Sequence, residues 1–399
     1  MKTPKKNICQ VTFINMFCYN FIMFIKRLGL KNFRNYSDTD ISFSKNKILF
    51  VGKNAQGKTN LLEAVFYLSS LDSLRAKSDS ELIKWNSDIC NIQADIEKFG
   101  IDVSLEITLP AQGRKKLKVN GLTKNKFSEF ISNISTVCFT TSDLLLLRGT
   151  PEDRRKWLDL AISQIYPAFI ERLTKYNKIK TQKNNYLKTL KGNLNADTSL
   201  LDIWNEQLAI TGSNITFIRI NFLHELQKAA KEKHKEISAE ETLTLKYNST
   251  ILGDINLETR YPNTTEYIAK LFKEKLDEKK QEEIIRAQSV VGPHRDDITY
   301  FINNIEAKKF ASQGQQRTIV LALKLAELNL IKEKIQTNAI LLLDDVLAEL
   351  DDLRQNFLLN AIGEETQTII TSVDTLHFKE EYLKDVEIFE IKDNQIIKK

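Results

Sequence analysis

The most constraining stretch of this 399-residue chain is Gly52-Lys53-Asn54-Ala55-Gln56-Gly57-Lys58-Thr59, which satisfies the pattern G-x-x-x-x-G-K-[ST]. An apolar run from Lys47 to Val51 leads into it, and Asn60-Leu-Leu-Glu-Ala-Val-Phe-Tyr-Leu follows with the character of a helix from about Lys58. Strand, glycine loop and helix in that order fix a local geometry. The two glycines let the backbone curl until successive N–H groups face one anion, and the helix start adds partial positive charge. In such a loop the lysine, Lys58, reaches the β- and γ-phosphates of a nucleotide, and Thr59 offers its hydroxyl to Mg²⁺. The expected fold class is therefore α/β.

A second apolar strand is predicted at Ala339-Ile-Leu-Leu-Leu-Asp-Asp345, ending in two acids. A run this apolar belongs at the centre of a parallel sheet, buried on both faces, with its acids at the carboxyl edge where such sheets bind ligands. Alone, the pair could equally cap a helix. Beside a phosphate loop it reads as a Walker B strand, with Asp344 the metal ligand and Asp345 the group that orients or deprotonates water. Asp344-Asp-Val-Leu-Ala-Glu-Leu-Asp351 continues with the spacing of ABC-type ATPases, which turns Asp351 toward a partner subunit. Ser312-Gln-Gly-Gln-Gln-Arg317 opens a long amphipathic helix predicted to run to about Ile331. Ser312 and Gln315 form a capping box, which is a structural reason for both. Their position just before the Walker B strand supplies another: ABC-type proteins carry their signature there. Ser312, Gly314 and Gln315 would then meet the γ-phosphate of a nucleotide held by another copy. ATP and Mg²⁺ are the expected cofactors, and pairing is expected to need ATP.

Composition adds bounds. Lys plus Arg number 58 against 52 acids, a net charge of +6 that fits a nucleic-acid partner and many soluble enzymes alike. The four cysteines include no C-x-x-C pair, which argues against a zinc site or a disulfide framework and for a cytoplasmic home. Residues 1–22 are basic and then apolar, but Gln10, Asn15 and Asn20 break the run, so a membrane span is not expected. They read as an upstream extension, with Met23 the natural start. Residues 23–150 and 285–399 have α/β character and are expected to form one head. Residues 151–284 are expected to form a helical arm, partly coiled coil, with one strand at Thr242–Tyr247. Basic residues open the arm at Arg172, Lys175, Lys178 and Lys183, interleaved with Tyr176 and Tyr186, and a second group, Arg114, Lys115 and Lys116, sits at a predicted hairpin. Charge runs of this kind are ordinarily solvated faces; as a DNA footprint they would act by phosphate neutralisation.

Three more segments narrow the class: Leu30-Lys-Asn-Phe-Arg-Asn-Tyr36, the run from Phe139 to Arg155, and Val291-Gly-Pro-His-Arg-Asp-Asp297. Together with the motifs above they resemble the RecF family of ABC-type, SMC-like P-loop ATPases over nearly the whole chain from Met23. The resemblance implies an ABC-ATPase head with an inserted helical arm, and an ATP-dependent homodimer with slow, DNA-dependent ATP hydrolysis. It implies binding of single-stranded and of linear or gapped double-stranded DNA, and since no base-reading motif is visible in the sequence, recognition is expected to follow DNA structure and not base sequence. It also implies work with RecR and RecO in loading recombinase during repair, replication and the SOS response to DNA damage. The pattern departs at Leu74, where the family has His, while Arg75 is retained. Ser372 follows the predicted strand Gln367–Thr371 where transporter ATPases carry a switch histidine, and His377 lies further on; Thr141-Ser142-Asp143 is the candidate Q-loop region. That missing histidine and the helical insertion argue against a transporter subunit. The short arm without a C-x-x-C hook argues against a large SMC-type ATPase.

Overall fold

Unbroken apolar runs make the centre of the molecule. In the computed structural model, which describes residues 23–192, 198–376, 378, 380–392 and 395–399, they lie side by side. The segment before Met23 and His377 fall outside the described residues. Strands β3 (Lys47–Val51), β14 (Thr368–Ser372), β13 (Ile340–Asp344) and β8 (Thr136–Thr140) run parallel in that order. On the other side of β3, β15 (Val386–Lys392) is parallel and β16 (Gln395–Lys398) closes the sheet antiparallel. Register pairs Val51 with Ser372 and Thr371 with Asp344, so the loop after β3 and the acids ending β13 share the carboxyl edge, one strand apart.

Each parallel strand divides its side chains between two cores. Leu49, Val51, Phe139, Leu341, Leu343 and Ile370 enter one; Ile48, Phe50, Cys138, Ile340, Leu342 and Ile369 enter the other. With both faces dry, these strands carry no alternation, which is why they read as continuous hydrophobic runs.

The second core is closed by the helix Lys58–Ser70 and by a six-stranded antiparallel sheet. That sheet comprises β1 (Met23–Phe33), β2 (Tyr36–Ser42), β4 (Ile89–Lys98), β5 (Ile101–Pro110), β6 (Lys116–Val119) and β7 (Leu122–Lys124), in the order β2-β1-β4-β5-β6-β7. Its strands do alternate: β4 buries Cys90, Ile92, Ala94 and Ile96 and turns the residues between them outward. The hairpin expected around Gln112-Gly113-Arg114 joins β5 to β6.

The first core takes in the helices Gln313–Ile335, Pro151–Ile165, Phe169–Leu190 and Ser199–Ile237. The last has 39 residues and is about 58 Å long. The strand predicted at Thr242–Tyr247 is β9 (Leu243–Ser249), and it is not isolated among helices. It pairs with β10 (Gly253–Asn256) and with β11 (Asp297–Ile302), which carries β12 (Ile305–Glu306) at its edge. Polypeptide from before and after residue 284 thus shares one sheet. Among the described residues, no helix is long and apolar enough to cross a membrane.

Candidate nucleotide site

The two glycines of the phosphate loop are held in place by close approaches. Gly57 has φ +99°, and a Cβ there would stand 2.5 Å from Asn35 Nδ2 and 2.8 Å from the Tyr36 hydroxyl. At Gly52 a Cβ would meet the carbonyl oxygen of Ile391 at 2.6 Å. Lys53, Asn54 and Ala55 line the exposed rim of the turn, and Gln56 is half-buried. Lys58 is only 4% exposed, and its Nζ donates to the carbonyls of Gly52 at 2.7 Å and Lys53 at 3.3 Å, folding the side chain back along the loop.

Thr59 and Asp344 meet across 285 positions of sequence: Thr59 Oγ1 donates to Asp344 Oδ1 at 2.8 Å. The same carboxylate oxygen accepts from Thr371 Oγ1 at 2.9 Å, and Thr371 Oγ1 accepts from the Asp345 main-chain N–H at 3.0 Å. Asp345 has φ +52°, a left-handed backbone that is uncommon for a non-glycine residue. Burial pushes the Asp344 carboxyl above its usual range; the bonds from Thr59 and Thr371 oppose this, and neighbouring Asp345 reinforces it. A hydroxyl and a carboxylate side by side are hard oxygen donors of the kind Mg²⁺ takes, so the group fits the residues present. Sequence reasoning passed over Thr371. Its only signal is its position next to Ser372, at the end of the strand that separates β3 from β13.

The loop is also supported from behind by the segment that carried part of the family resemblance. Tyr36 Oη donates to the Gly57 carbonyl at 3.1 Å, and Asn60 Nδ2 donates to Asn35 Oδ1 at 2.6 Å. Glu63, fully buried on the helix after the loop, accepts from Arg34 at 2.8 and 2.9 Å and from Ser73 at 2.6 Å. Burial alone would raise its carboxyl, but the Arg34 and Ser73 hydrogen bonds and the charges of Arg34 and Arg75 hold it below the usual range. Arg75 also donates to Asn60 Oδ1 at 2.6 Å. Leu74 instead lines a cavity of mixed polar and apolar walls with Cys138, Trp157, Asp143 and Lys324.

The signature candidates form a second group. Ser312 caps the helix Gln313–Ile335: its Oγ accepts from Gln315 N–H at 3.2 Å while its own N–H donates to Gln315 Oε1 at 2.8 Å. Gln315 Nε2 reaches on to Glu241 at 2.7 Å. Asp351 caps the helix Asp352–Ala361 and pairs with Arg354, whose Nε donates to Thr318 Oγ1 on the signature helix at 2.9 Å. A Cβ on Gly314 would stand 3.3 Å from the same guanidinium. Arg354 thus ties the two candidate partner-facing elements to each other. Among the described residues, no hydrogen bond joins them to the phosphate loop. Thr141-Ser142-Asp143 forms a short turn after β8, where Asp143 accepts from Thr140 N–H at 2.8 Å and lies 3.5 Å from Lys324 of the signature helix.

The DNA candidates divide. Arg172, Lys175 and Lys178 are exposed on the helix Phe169–Leu190, and Arg114 and Lys116 are exposed at the hairpin. Lys183 must be withdrawn: it is wholly buried, with its ammonium 2.6 Å from the Glu283 carboxylate. Lys115 is likewise turned inward, donating to Tyr67 Oη at 2.8 Å and Leu71 O at 3.0 Å, so it is a structural tie and not a free cation.

The profile of the RecF/RecN/SMC N-terminal domain matches residues 24–396. The DNA replication and repair protein RecF of Bacillus mycoides (strain KBAB4) is 38% identical over 375 residues, covering 94% of this chain and 98% of the relative. The protein of the same name from Halalkalibacterium halodurans is 39% identical over 381 residues, 94% of this chain and 100% of the relative. A solved structure of the recombination mediator protein RecF-ATP in the RecFOR pathway superposes with TM-score 0.86 at 31% identity, over 97% of this chain and 100% of that one. The Smc head domain from Pyrococcus furiosus, at TM-score 0.52 and 16% identity over 95% of this chain and 96% of that one, agrees in fold alone.

Proposed function

This chain belongs to the RecF/RecN/SMC N-terminal domain family, among the RecF proteins, and from that premise we propose that it is an ATP-gated DNA-binding protein of recombinational repair and replication. The observation that carries the reading is the meeting of Thr59 with Asp344 at 2.8 Å, beside Asp345 and at the mouth of the phosphate loop. In this reading the loop N–H groups of residues 52–59 and the Lys58 ammonium hold the β- and γ-phosphates of ATP. Thr59 and Asp344 would hold Mg²⁺, which supplies charge neutralisation on the phosphates. Asp345 orients water for in-line attack.

Ser312, Gly314, Gln315 and Asp351 then act on the ATP of a second copy, so two nucleotides lie between two heads and pairing depends on ATP. Hydrolysis is slow, is promoted by DNA, and serves to reopen the pair. Residues 23–150 with 285–399 act as the head and 151–284 as the arm. Arg172, Lys175, Lys178, Arg114 and Lys116 contact phosphates of single-stranded and of linear or gapped double-stranded DNA in the cytoplasm. RecO and RecR are the expected protein partners in recombinase loading, on the strength of the RecFOR pathway named for the solved relatives.

Sedimentation of the full chain with ADP, with ATP, and with ATP plus gapped duplex tests this. A dimer with ATP, strengthened by DNA and absent with ADP, is expected. A monomer throughout, in saturating ATP and magnesium, would overturn the reading. Asp345→Asn separates a hydrolytic switch from a clamp in which ATP is only glue: it should prolong the ATP-bound dimer in the first case and change nothing in the second.

A further inference from the structure

Two segments singled out in the sequence, those ending at Arg155 and beginning at Val291, meet at a cavity of about 490 Å³ that the nucleotide chemistry does not use. Its walls are the helix Pro151–Ile165, the arm helices Phe169–Leu190 and Ser199–Ile237, and the loop 289–295. Five cations line it: Lys156, which pairs with Asp72 at 3.1 Å, Arg219, and three whose hydrogen-bond partners are neutral. Arg155 Nη1 donates to the Asp296 carbonyl at 2.7 Å, Arg295 donates to the Ser289 carbonyl at 3.0 and 3.2 Å, and Lys180 Nζ donates to Asn177 Oδ1 at 3.1 Å. All of these acceptors are neutral. Among the described residues none of the three cations makes an ion pair, whereas the deeper arginines beside them do: Arg154 with Asp297 at 2.6 Å and Arg219 with Asp159 at 2.7 Å. The acids of the wall are therefore Asp159, already taken, and Glu152, exposed at the rim. Asp296 is buried and accepts from Tyr247 and Thr250.

The clustering carries an electrostatic cost. Burial first, then Arg295 and Arg155, push the Lys180 ammonium below its usual range, and burial first, then Arg219, does the same to Arg155. Like charges gathered at one cleft, none of them ion-paired to the acids of its wall, are a mark of a candidate ligand site. Two guanidinium forks and an ammonium match the geometry of phosphate oxygens. The wall is also rigid. Gly292 has φ +129°, and a Cβ there would collide with the Tyr176 hydroxyl. His294 joins the wall to the arm: its Nε2 faces the Ser289 carbonyl at 3.2 Å, which can only accept, so Nδ1 accepts from Tyr176 Oη at 2.7 Å.

We propose that this cleft between head and arm is a second phosphate site, in which Arg155, Lys180 and Arg295 hold a phosphate group independently of the phosphate loop. The group comes either from a free phosphate-type anion or from DNA, and only the DNA source rests on the function proposed above.

The test uses the full chain with saturating ADP and no magnesium, so that the phosphate loop is filled. Pyrophosphate is titrated by calorimetry and melting, and gapped duplex is titrated with and without pyrophosphate. Wild-type protein should bind pyrophosphate and melt at higher temperature with it. Lys180→Gln and Arg295→Gln should each weaken that binding about tenfold, corresponding to about 1.4 kcal/mol, and Lys180→Arg should retain it. Without the anion, both Gln variants should melt no lower than wild type, because like-charge repulsion is relieved. Displacement of DNA by pyrophosphate, with DNA affinity lost in the variants, identifies a DNA phosphate as the occupant. Pyrophosphate binding that leaves DNA untouched identifies a free anion. Anion and DNA affinities both unchanged in the variants, or variants that melt lower without anion, would overturn the site.

Discussion

Lys175 and Lys183 carry the same charge on one helix and meet opposite fates. The first stands in solvent; the second is sealed against Glu283 at 2.6 Å. Removing one member of a buried pair strands the other, so Lys183→Ala should cost about 3–5 kcal/mol in denaturant unfolding, while Lys183→Met with Glu283→Leu should recover most of it. Lys175→Ala with Lys178→Ala should leave the melt unchanged and lower the slope of log affinity for duplex DNA against log salt by about 2. An unchanged slope would remove the arm footprint. Counting charges could not separate these lysines, because burial of Lys183 is decided by a carboxylate far along the chain. Lys58 and Thr59 were legible for the opposite reason: a phosphate loop is a local object, fixed by eight adjacent residues. Thr371, which positions Asp344 and Asp345 together, was not legible, since nothing in its own neighbourhood marks it.

At the scale of elements, the parallel strands could be read from their apolar runs but not ordered. That β14 separates β3 from β13 depends on pairing across the whole chain. The signature helix shows a subtler limit. Its capping box is visible in sequence and present in the fold, and a cap alone accounts for Ser312 and Gln315. Ser312→Asn keeps a side-chain oxygen suited to the cap, so its melt should match wild type, whereas Ser312→Ala should cost about 1 kcal/mol. If Ser312 meets a phosphate across a dimer, both variants should lose ATP-dependent sedimentation as a dimer; if Ser312 is only a cap, Ser312→Asn should pair normally.

The loop 289–295 makes a prediction of a different kind. Burial, chiefly, drives His294 down from 6.5 to about 3, with Lys180, Arg295 and Arg155 acting in the same sense and the Ser289 carbonyl against it. Between those two values the unfolded chain binds a proton that the folded chain refuses. Stability from this group is therefore intact above pH 6.5 and is lost progressively as pH falls toward 3. In urea titrations at pH 7 and pH 5, wild type should lose more stability on acidification than His294→Gln, and equal losses would refute the assignment.

The whole molecule is less divisible than its sequence. Composition changes at residue 151 and again near 285, which suggests a head that could stand without its arm. Yet the helix Pro151–Ile165 lies between the phosphate-loop helix and the signature helix: Trp157 Nε1 donates to Glu327 at 2.9 Å, and Gln164 donates to the Ser69 carbonyl at 3.3 Å while accepting from Thr136 N–H at 3.1 Å. Strand β11 pairs with β9 over six residue pairs, and its inward Ile298, Tyr300 and Ile302 sit in the same core as Leu208 and Leu226 of the long helix. These couplings link residues distant in sequence, so no composition window reports them. A head made by joining residues 23–165 to 285–399 would expose that core and leave β11 with only its two-residue partner β12. Each large aliphatic or aromatic side chain returned to water costs about 1.5–3 kcal/mol, and a few such losses exceed the typical stability of a whole domain. The shortened chain should therefore show no cooperative melt by circular dichroism and should bind no ATP. If it instead melts cooperatively and binds ATP with the affinity of the full chain, the arm is a separable appendage, and any coupling of the arm to nucleotide in the head must run through contacts other than these.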